Sequence, residues 1–288
     1  MLNYPKSISI EYGLTMKIQT LWCITALFLP CLSHAEVSNS ASLNPLKQLS
    51  NVRVSMQRML KSTNERYFLS LYAGVAKPHG TLYDLSENKN IEFRGTQKGS
   101  NLDLKAVQLD SLETGDIAQI TGNLNVNSGV LNSNLIDRAG MDHSVRFEPA
   151  FKVENKPLFT FKFYGVKADT KAQEQLLTRV DVINKTNNTV VQTLTGFSAY
   201  PNSIGYLDIN FDGHYDVILS DLSQDRKVTD KRYIYWMYNP KTTQYQRSPQ
   251  LEKIVGFPNL HGEKQQIDFG QGQLFQVENG LLTKAVNE

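Results

Sequence analysis

The amino-acid sequence predicts an all-β protein, with an N-terminal antiparallel β-meander module followed by a second β-domain. Three observations carry that expectation. Short runs of alternating apolar and polar residues recur along the chain, broken by Gly, Asn, Asp and Ser clusters about every 8–15 residues, the rhythm of antiparallel hairpins. Aromatic residues reach 10%, with 13 Phe and 13 Tyr, which suits pleated surfaces. In "NIEFRGT" (90–96), Ile91 and Phe93 face one way and Glu92 and Arg94 the other, as in a sheet with one wet face.

Taken in order, residues 1–35 read as a targeting segment. Met16-Lys17 opens a short positive region, and Met16 is the better initiator. "LWCITALFLPCL" (21–32) forms the apolar stretch. "SHA" (33–35) supplies small residues for cleavage after Ala35. The apolar stretch is too short to cross about 30 Å of hydrocarbon, so no transmembrane segment is expected in the mature chain. Pro30, just before Cys31, stands where a lipoprotein signal needs a small residue. A periplasmic location is therefore expected ahead of an outer-membrane lipoprotein. Cys23 and Cys31 are the chain's two cysteines. Their loss with the leader excludes a disulfide framework, Cys-zinc sites, a Cys nucleophile and iron–sulfur ligation. The net charge of +2, from 30 basic and 28 acidic side chains, argues against nucleic acid as a partner.

Residues 36–66 read as a linker ("EVSNSASLN", 36–44) and a possible short helix from Asn44-Pro45 to about Lys61. Leu46, Leu49, Val52 and Met56 would share one stripe of that helix. Val52, Val54 and Met56 also alternate, as a strand would. Residues 67–153 form the meander: "YFLSLYAGV", "HGTLYDL", "NIEFRGT", "NLDLKAVQL", "DIAQITGNLNV", "GVLNSNLID" and "HSVRFEPAF", which hairpins would gather into a barrel or sandwich. Residues 154–288 continue with "LFTFKFYGV", "TRVDVINK", "NTVVQTLTGF", "SIGYLDINF", "YDVILSD", "RYIYWMYN", "TQYQRSP" and "QIDFGQGQLFQVEN". "TKAQEQLL" (170–177) reads as a helical turn or a loop. "YNPKTTQY" (238–245) marks a turn between aromatic strands.

The segment "DINFDGHYD" (208–216) gathers Asp208, Asn210, Asp212 and Asp216 around Gly213. Calcium takes six to eight oxygens and tolerates irregular geometry. Donors at relative positions 1, 3, 5 and 9, with glycine at 6, can wrap such an ion. His214 at position 7 would offer its backbone carbonyl, because its imidazole nitrogen is a poor calcium ligand. Without a cation three carboxylates crowd one turn. A divalent ion changes the loop's formal charge from −3 to −1. One structural Ca²⁺, held by Asp208, Asn210, Asp212, His214 and Asp216, is the expectation, and it would staple a cysteine-free exported domain. Position 12 is Leu219 rather than the bidentate Glu of an EF-hand.

With its apolar flanks, this DxNxDGxxD loop resembles the calcium hairpins of FG-GAP and integrin-type β-propellers. The order "VDVINKTNNTVVQTL", "YLDINFDGHYDVIL", "YIYWMYNPKTTQYQRSPQLEKI" resembles exported bacterial calcium-binding, propeller-like β-proteins. Some of these are immunity proteins that block peptidoglycan-hydrolase toxins or inhibit lysozyme-type glycosidases. The resemblance covers roughly the last 110 residues. It implies a propeller-like or sandwich-like second domain, a protein partner of the peptidoglycan-hydrolase or lysozyme-like class, and no catalysis by the chain itself. A small-molecule substrate is not expected. A calcium-stabilised envelope or glycan-binding module is the alternative.

Other constellations are weaker. His79, His143, His214 and His261 are scattered and show no zinc or triad spacing. Asp181, Glu148 and Glu154 could pair for glycoside hydrolysis only if the fold brought two of them together. "YIYWMY" (233–238) fits a strand buried on both faces better than an aromatic sugar platform. The polar stretches 220–232 and 198–203 are candidate partner surfaces, since a loop held by a rigid scaffold is where binding tends to sit.

Overall fold

A computed structural model describes residues 46–74, 77–107, 118–170 and 173–285. The expected targeting segment and most of the expected linker lie outside the described residues. The strands are β1 (Lys47–Gln48), β2 (Val54–Ser62), β3 (Tyr67–Ala73), β4 (His79–Asp84), β5 (Lys89–Lys98), β6 (Asn101–Ala106), β7 (Gln119–Leu124), β8 (Leu131–Ile136), β9 (Asp142–Pro149) and β10 (Phe159–Thr170). They continue with β11 (Gln173–Asn184), β12 (Thr189–Leu194), β13 (Ala199–Leu207), β14 (Asp216–Asp221), β15 (Tyr233–Asn239), β16 (Gln244–Arg247), β17 (Asn259–His261), β18 (Gln266–Asp268), β19 (Leu274–Glu278) and β20 (Leu281–Lys284). The protein is all-β, with 3-10 turns at Val228–Asp230 and Leu251–Lys253 as its helical elements among the described residues. No described helix is long and apolar enough to cross a membrane.

Strands β2 to β9 pair antiparallel in sequence order, and β9 returns to β2 through Leu60↔Pro149, Lys61↔Glu148 and Ser62↔Phe147. The meander therefore closes into an eight-stranded barrel, which removes the unpaired edges an open sheet would present. Alternation decides which side chains enter it. In β8, Leu131, Ser133 and Leu135 point in while Asn132 and Asn134 point out. In β6, Leu102 and Leu104 point in while Asn101, Asp103 and Lys105 point out. Leu69, Leu71, Ile120, Leu124 and Phe147 complete a filled interior. Each such side chain contributes on the order of 1.5–3 kcal/mol by leaving water.

Strand β2 belongs to two structures. Its later half closes the barrel, and its start pairs parallel with β13 through Ile204↔Val54, Gly205↔Ser55 and Tyr206↔Met56. From β13 a second curved sheet runs one way through β14, β15 and β16, and the other way through β11 to β10 and β12. Gln192 of β12 spans the gap to β16: its Nε2 donates to the Tyr245 carbonyl at 2.8 Å, and the Tyr245 N–H donates to its Oε1 at 2.7 Å. The side-chain amide thus stands in for a missing backbone pair.

All six residues of β14 are buried, because both faces of the sheet are covered. One face packs Val180, Val182, Leu194, Ile204, Leu219 and Ile234. The other packs Leu207, Ile218 and Tyr235 against Leu260, Ile267 and Val277 of a separate four-stranded sheet, β17–β20, and against Met59 and Phe68 of the barrel. Barrel, central sheet and C-terminal sheet so share a core, and Asn44–Glu288 forms one compact unit.

Two local expectations are corrected. The possible helix to Lys61 is instead the strand β2 over Val54–Ser62. Its residues Gln57–Leu60 are all buried, so neither a helical stripe nor a two-residue period marks them. Gln57 is tolerated there because Nε2 donates to Ser70 Oγ at 2.8 Å and Oε1 accepts from the Tyr72 hydroxyl at 3.2 Å. In "TKAQEQLL" the described residues lie in β10 and β11, neither helix nor loop, and the paired backbone overrides the local helix preference of Gln, Glu and Leu. The segment 233–238 is the expected two-sided strand, with Tyr233, Ile234, Tyr235 and Tyr238 buried.

Candidate metal loop and its surroundings

The 208–216 segment connects β13 to β14, so two central strands fix both ends of the loop. Phe211 (φ 55°) and Gly213 (φ 86°) take left-handed backbone conformations that turn the chain. Phe211 is nevertheless buried, its ring 5.2 Å from that of Phe151. At Gly213 a Cβ would lie 2.3 Å from Val153 Cγ2 and 2.8 Å from the Phe151 carbonyl oxygen. Glycine is required both for the turn and for the close approach of segment 151–153.

The acids point into the loop. Asp208 accepts from the Asp212 N–H at 3.0 Å through Oδ1 and from the Gly213 N–H at 2.9 Å through Oδ2. Asp216 accepts from the Ile209 N–H at 3.0 Å and the Tyr238 N–H at 2.8 Å. Asp212 Oδ1 accepts from the His214 N–H at 2.8 Å, and its Oδ2 from Asn210 Nδ2 at 3.0 Å. Asp208 and Asp216 are 3% and 1% exposed, so their charges sit almost out of water. Burial first, then repulsion from Asp212, pushes the Asp208 carboxyl up to about 7 against the pull of Lys156 and the loop amides. Burial, then Asp208, pushes Asp216 well above the usual carboxylate range. Lys156 lies over the Tyr215 ring at 3.7 Å and is lowered to about 8, chiefly by burial, although the loop acids work to raise it.

These residues fit a hard cation in chemistry. Each oxygen of Asp208 and Asp216 carries one N–H and retains acceptor capacity. Asn210 Oδ1 is buried without a hydrogen-bond partner among the described residues, an oxygen for which the protein supplies no donor. The carboxylates are close enough that Asp212 raises Asp208, and both raise Asp216. As arranged, their oxygens are turned to loop amides, and among the described residues no three His, Cys, Asp or Glu groups form a ligand set. The His214 imidazole lies tilted 4.9 Å from the Tyr238 ring, and burial lowers its pKa.

Of the remaining expected residues, Glu148 and Glu154 line one cavity, and the others stay apart. His143 pairs with Asp137 at 2.9 Å, His79 stacks on Tyr72 at 4.9 Å, and His261 lies 3.7 Å from Glu263. Asp181 is held by Arg179 at 2.6 Å and by Thr193 at 3.0 Å. Glu148 is engaged by Arg146 and Lys152. Each of these two acids thus has its own basic partner. The two partner segments do meet: Ala199 pairs with Asp221, and the Leu222 N–H donates to the Ser198 carbonyl at 2.8 Å. Asp221 is anchored by Arg226.

One feature had no signal in the sequence. A cavity of about 970 Å³ lies where the barrel meets the central sheet, walled by Arg58, the β7–β8 turn, segment 148–159, Tyr206, Asp208 and Tyr215. Its residues come from five separate stretches, so only the fold reveals them.

A scan against protein-family models finds no match, and a search of curated proteins finds no significant relative.

Proposed function

We propose that this chain is an exported, periplasmic calcium-binding β-protein that acts as an immunity protein, occupying the cleft of a peptidoglycan-hydrolase toxin or lysozyme-like enzyme. The observation that carries the calcium half is the loop's imbalance: buried carboxylates at Asp208 and Asp216, Asp212 beside them, and the partnerless Asn210 Oδ1. Asp208, Asn210, Asp212, Asp216 and the His214 carbonyl would hold the ion. When bound, it supplies the positive charge that these acids lack. The loop amides already bend the backbone around the acids, and binding would turn carboxylate oxygens from those amides to the ion. The resemblance to propeller-like calcium-loop proteins supports the inhibitor half, together with the joined segments 198–203 and 220–232, which are exposed at Asn202 and over most of 224–231. The chain performs no chemistry in this reading; protection comes from steric and electrostatic occupation.

The test mixes the purified mature protein with the secreted cell-wall hydrolase encoded beside its gene. A stable complex and loss of hydrolase activity are expected. Absence of both, with susceptible cells left unprotected, contradicts the reading. The glycan-binding alternative is favoured by the aromatic-walled cavity, and co-sedimentation with purified cell wall discriminates it.

A further inference from the structure

The cavity between barrel and central sheet holds an unusual charge arrangement. Arg58 is 6% exposed, and its guanidinium donates to the Val126 carbonyl at 3.0 Å, yet among the described residues no carboxylate pairs with it. Lys156 also lines the cavity, over the Tyr215 ring; it makes no ion pair within 4.0 Å among the described residues, though Asp208, Asp212 and Asp216 attract it. Burying a cation without an opposite charge is costly. Of the other charged walls, Lys152 and Glu148 neutralise one another, and Lys185 donates to Asn127 at 2.6 Å. That leaves Arg58, Lys156 and Lys185 against Glu154 and Asp208, one positive charge in excess. Gly129 lies beside the guanidinium: a Cβ there would stand 3.5 Å from Arg58 Nη1. The apolar wall comes from Met56, Phe151, Phe159 and Tyr206.

We infer that this cavity is a binding site for a small monoanionic carboxylate ligand, its carboxylate received by Arg58 and Lys156 and its body laid against Tyr206 and Phe151. Glu154 and Asp208 in the same lining disfavour a second negative charge on the ligand. The volume suits a ligand of dipeptide or sugar-acid size. Arg58 comes from β2 and Lys156 from the segment leading to β10, so the ligand would join barrel and central sheet. Asp208 belongs both to the cavity wall and to the candidate metal loop, so the cavity is read with the loop kept free of metal.

Calorimetric titration of the full chain in chelator tests it. The probes are N-acetyl-Ala-Ala against its C-terminal amide, and glucuronate against glucose. At least one acid is expected to bind while its neutral counterpart does not, and which acid binds separates peptide from sugar sources. Lys156→Met, at a half-buried position, is expected to weaken that binding about tenfold, the loss of one charge-assisted contact. Arg58→Gln is expected to weaken it further where melting shows that the variant folds. Silence from both acids at millimolar concentration overturns the inference. So does equal binding of acid and neutral forms, or binding that Lys156→Met leaves unchanged.

Discussion

At the residue scale, Gly213 is the position where sequence and structure constrain each other most tightly. A side chain there meets both a left-handed φ and Val153 Cγ2 at 2.3 Å. Gly213→Ala should therefore lower stability by about 2–4 kcal/mol, read as a shift in the denaturant midpoint. An unchanged midpoint would show that segment 151–153 yields freely. Asp84 is a second such residue. Burial works to raise its carboxyl, but hydrogen bonds from Arg66, at 2.7 Å, and from Ser86 outweigh it and hold the group at about 2. Because the folded value lies below the unfolded one, the stabilisation is complete above the ordinary carboxylate range and is lost as pH falls from about 4 to about 2. With Arg66 partly exposed it amounts to about 1 kcal/mol. The melting difference between wild type and Asp84→Asn should be present at pH 7 and vanish near pH 2. The 208–216 acids were legible at this scale because their spacing is local. Arg58 and Lys156 were not, since nothing in "ENKP" says that Lys156 will line one cavity with Arg58.

At the scale of elements, each of the seven runs between Tyr67 and Phe151 holds most of one barrel strand; in β6 and β8 one wet face leaves a two-residue period, whereas β3 is buried from Tyr67 to Leu71 and is marked by its apolar run alone. β2 was hidden for the opposite reason. Buried throughout Gln57–Leu60, and carrying Gln57 and Arg58 inside, it has no wet face to write a period. A barrel was one of the two outcomes expected of the meander, but without β2 the strand on which β9 closes could not be named. The pairing of β12 with β16 was likewise illegible, resting as it does on one side chain. Gln192→Ala should cost about 1–2 kcal/mol and speed hydrogen exchange at the Tyr245 amide, which Gln192 Oε1 accepts at 2.7 Å. Gln192→Glu keeps an acceptor for that amide but loses the donor to the Tyr245 carbonyl, so an intermediate effect is expected. Exchange at Tyr245 unaltered in both variants would show that the seam holds by other contacts.

At the scale of the whole molecule, the chain reads as two β-modules but builds one unit. β2 serves the barrel and the central sheet together, and Met59 and Phe68 leave the barrel wall to enter the core shared with the C-terminal sheet. Neither part can unfold without stripping β2 from the other, so calorimetry should show one cooperative transition with equal calorimetric and van't Hoff enthalpies. Two resolved transitions would separate the modules after all. The candidate metal loop lies at this junction: Gly213 packs on the 151–153 connection, and a Cβ on Gly280 of the β19–β20 turn would lie 3.7 Å from Asn210 Nδ2. An ion held there would reinforce the barrel connection, the central strands and the C-terminal sheet at once. The most direct test is the melting temperature of wild type and Asp212→Ala in calcium and in chelator, with the retained metal measured. Calcium is expected to raise the wild-type melting temperature, with one ion retained per chain, and to leave Asp212→Ala where chelator leaves it. Equal melting of calcium-treated and chelator-treated wild type, with no ion retained, would contradict the account.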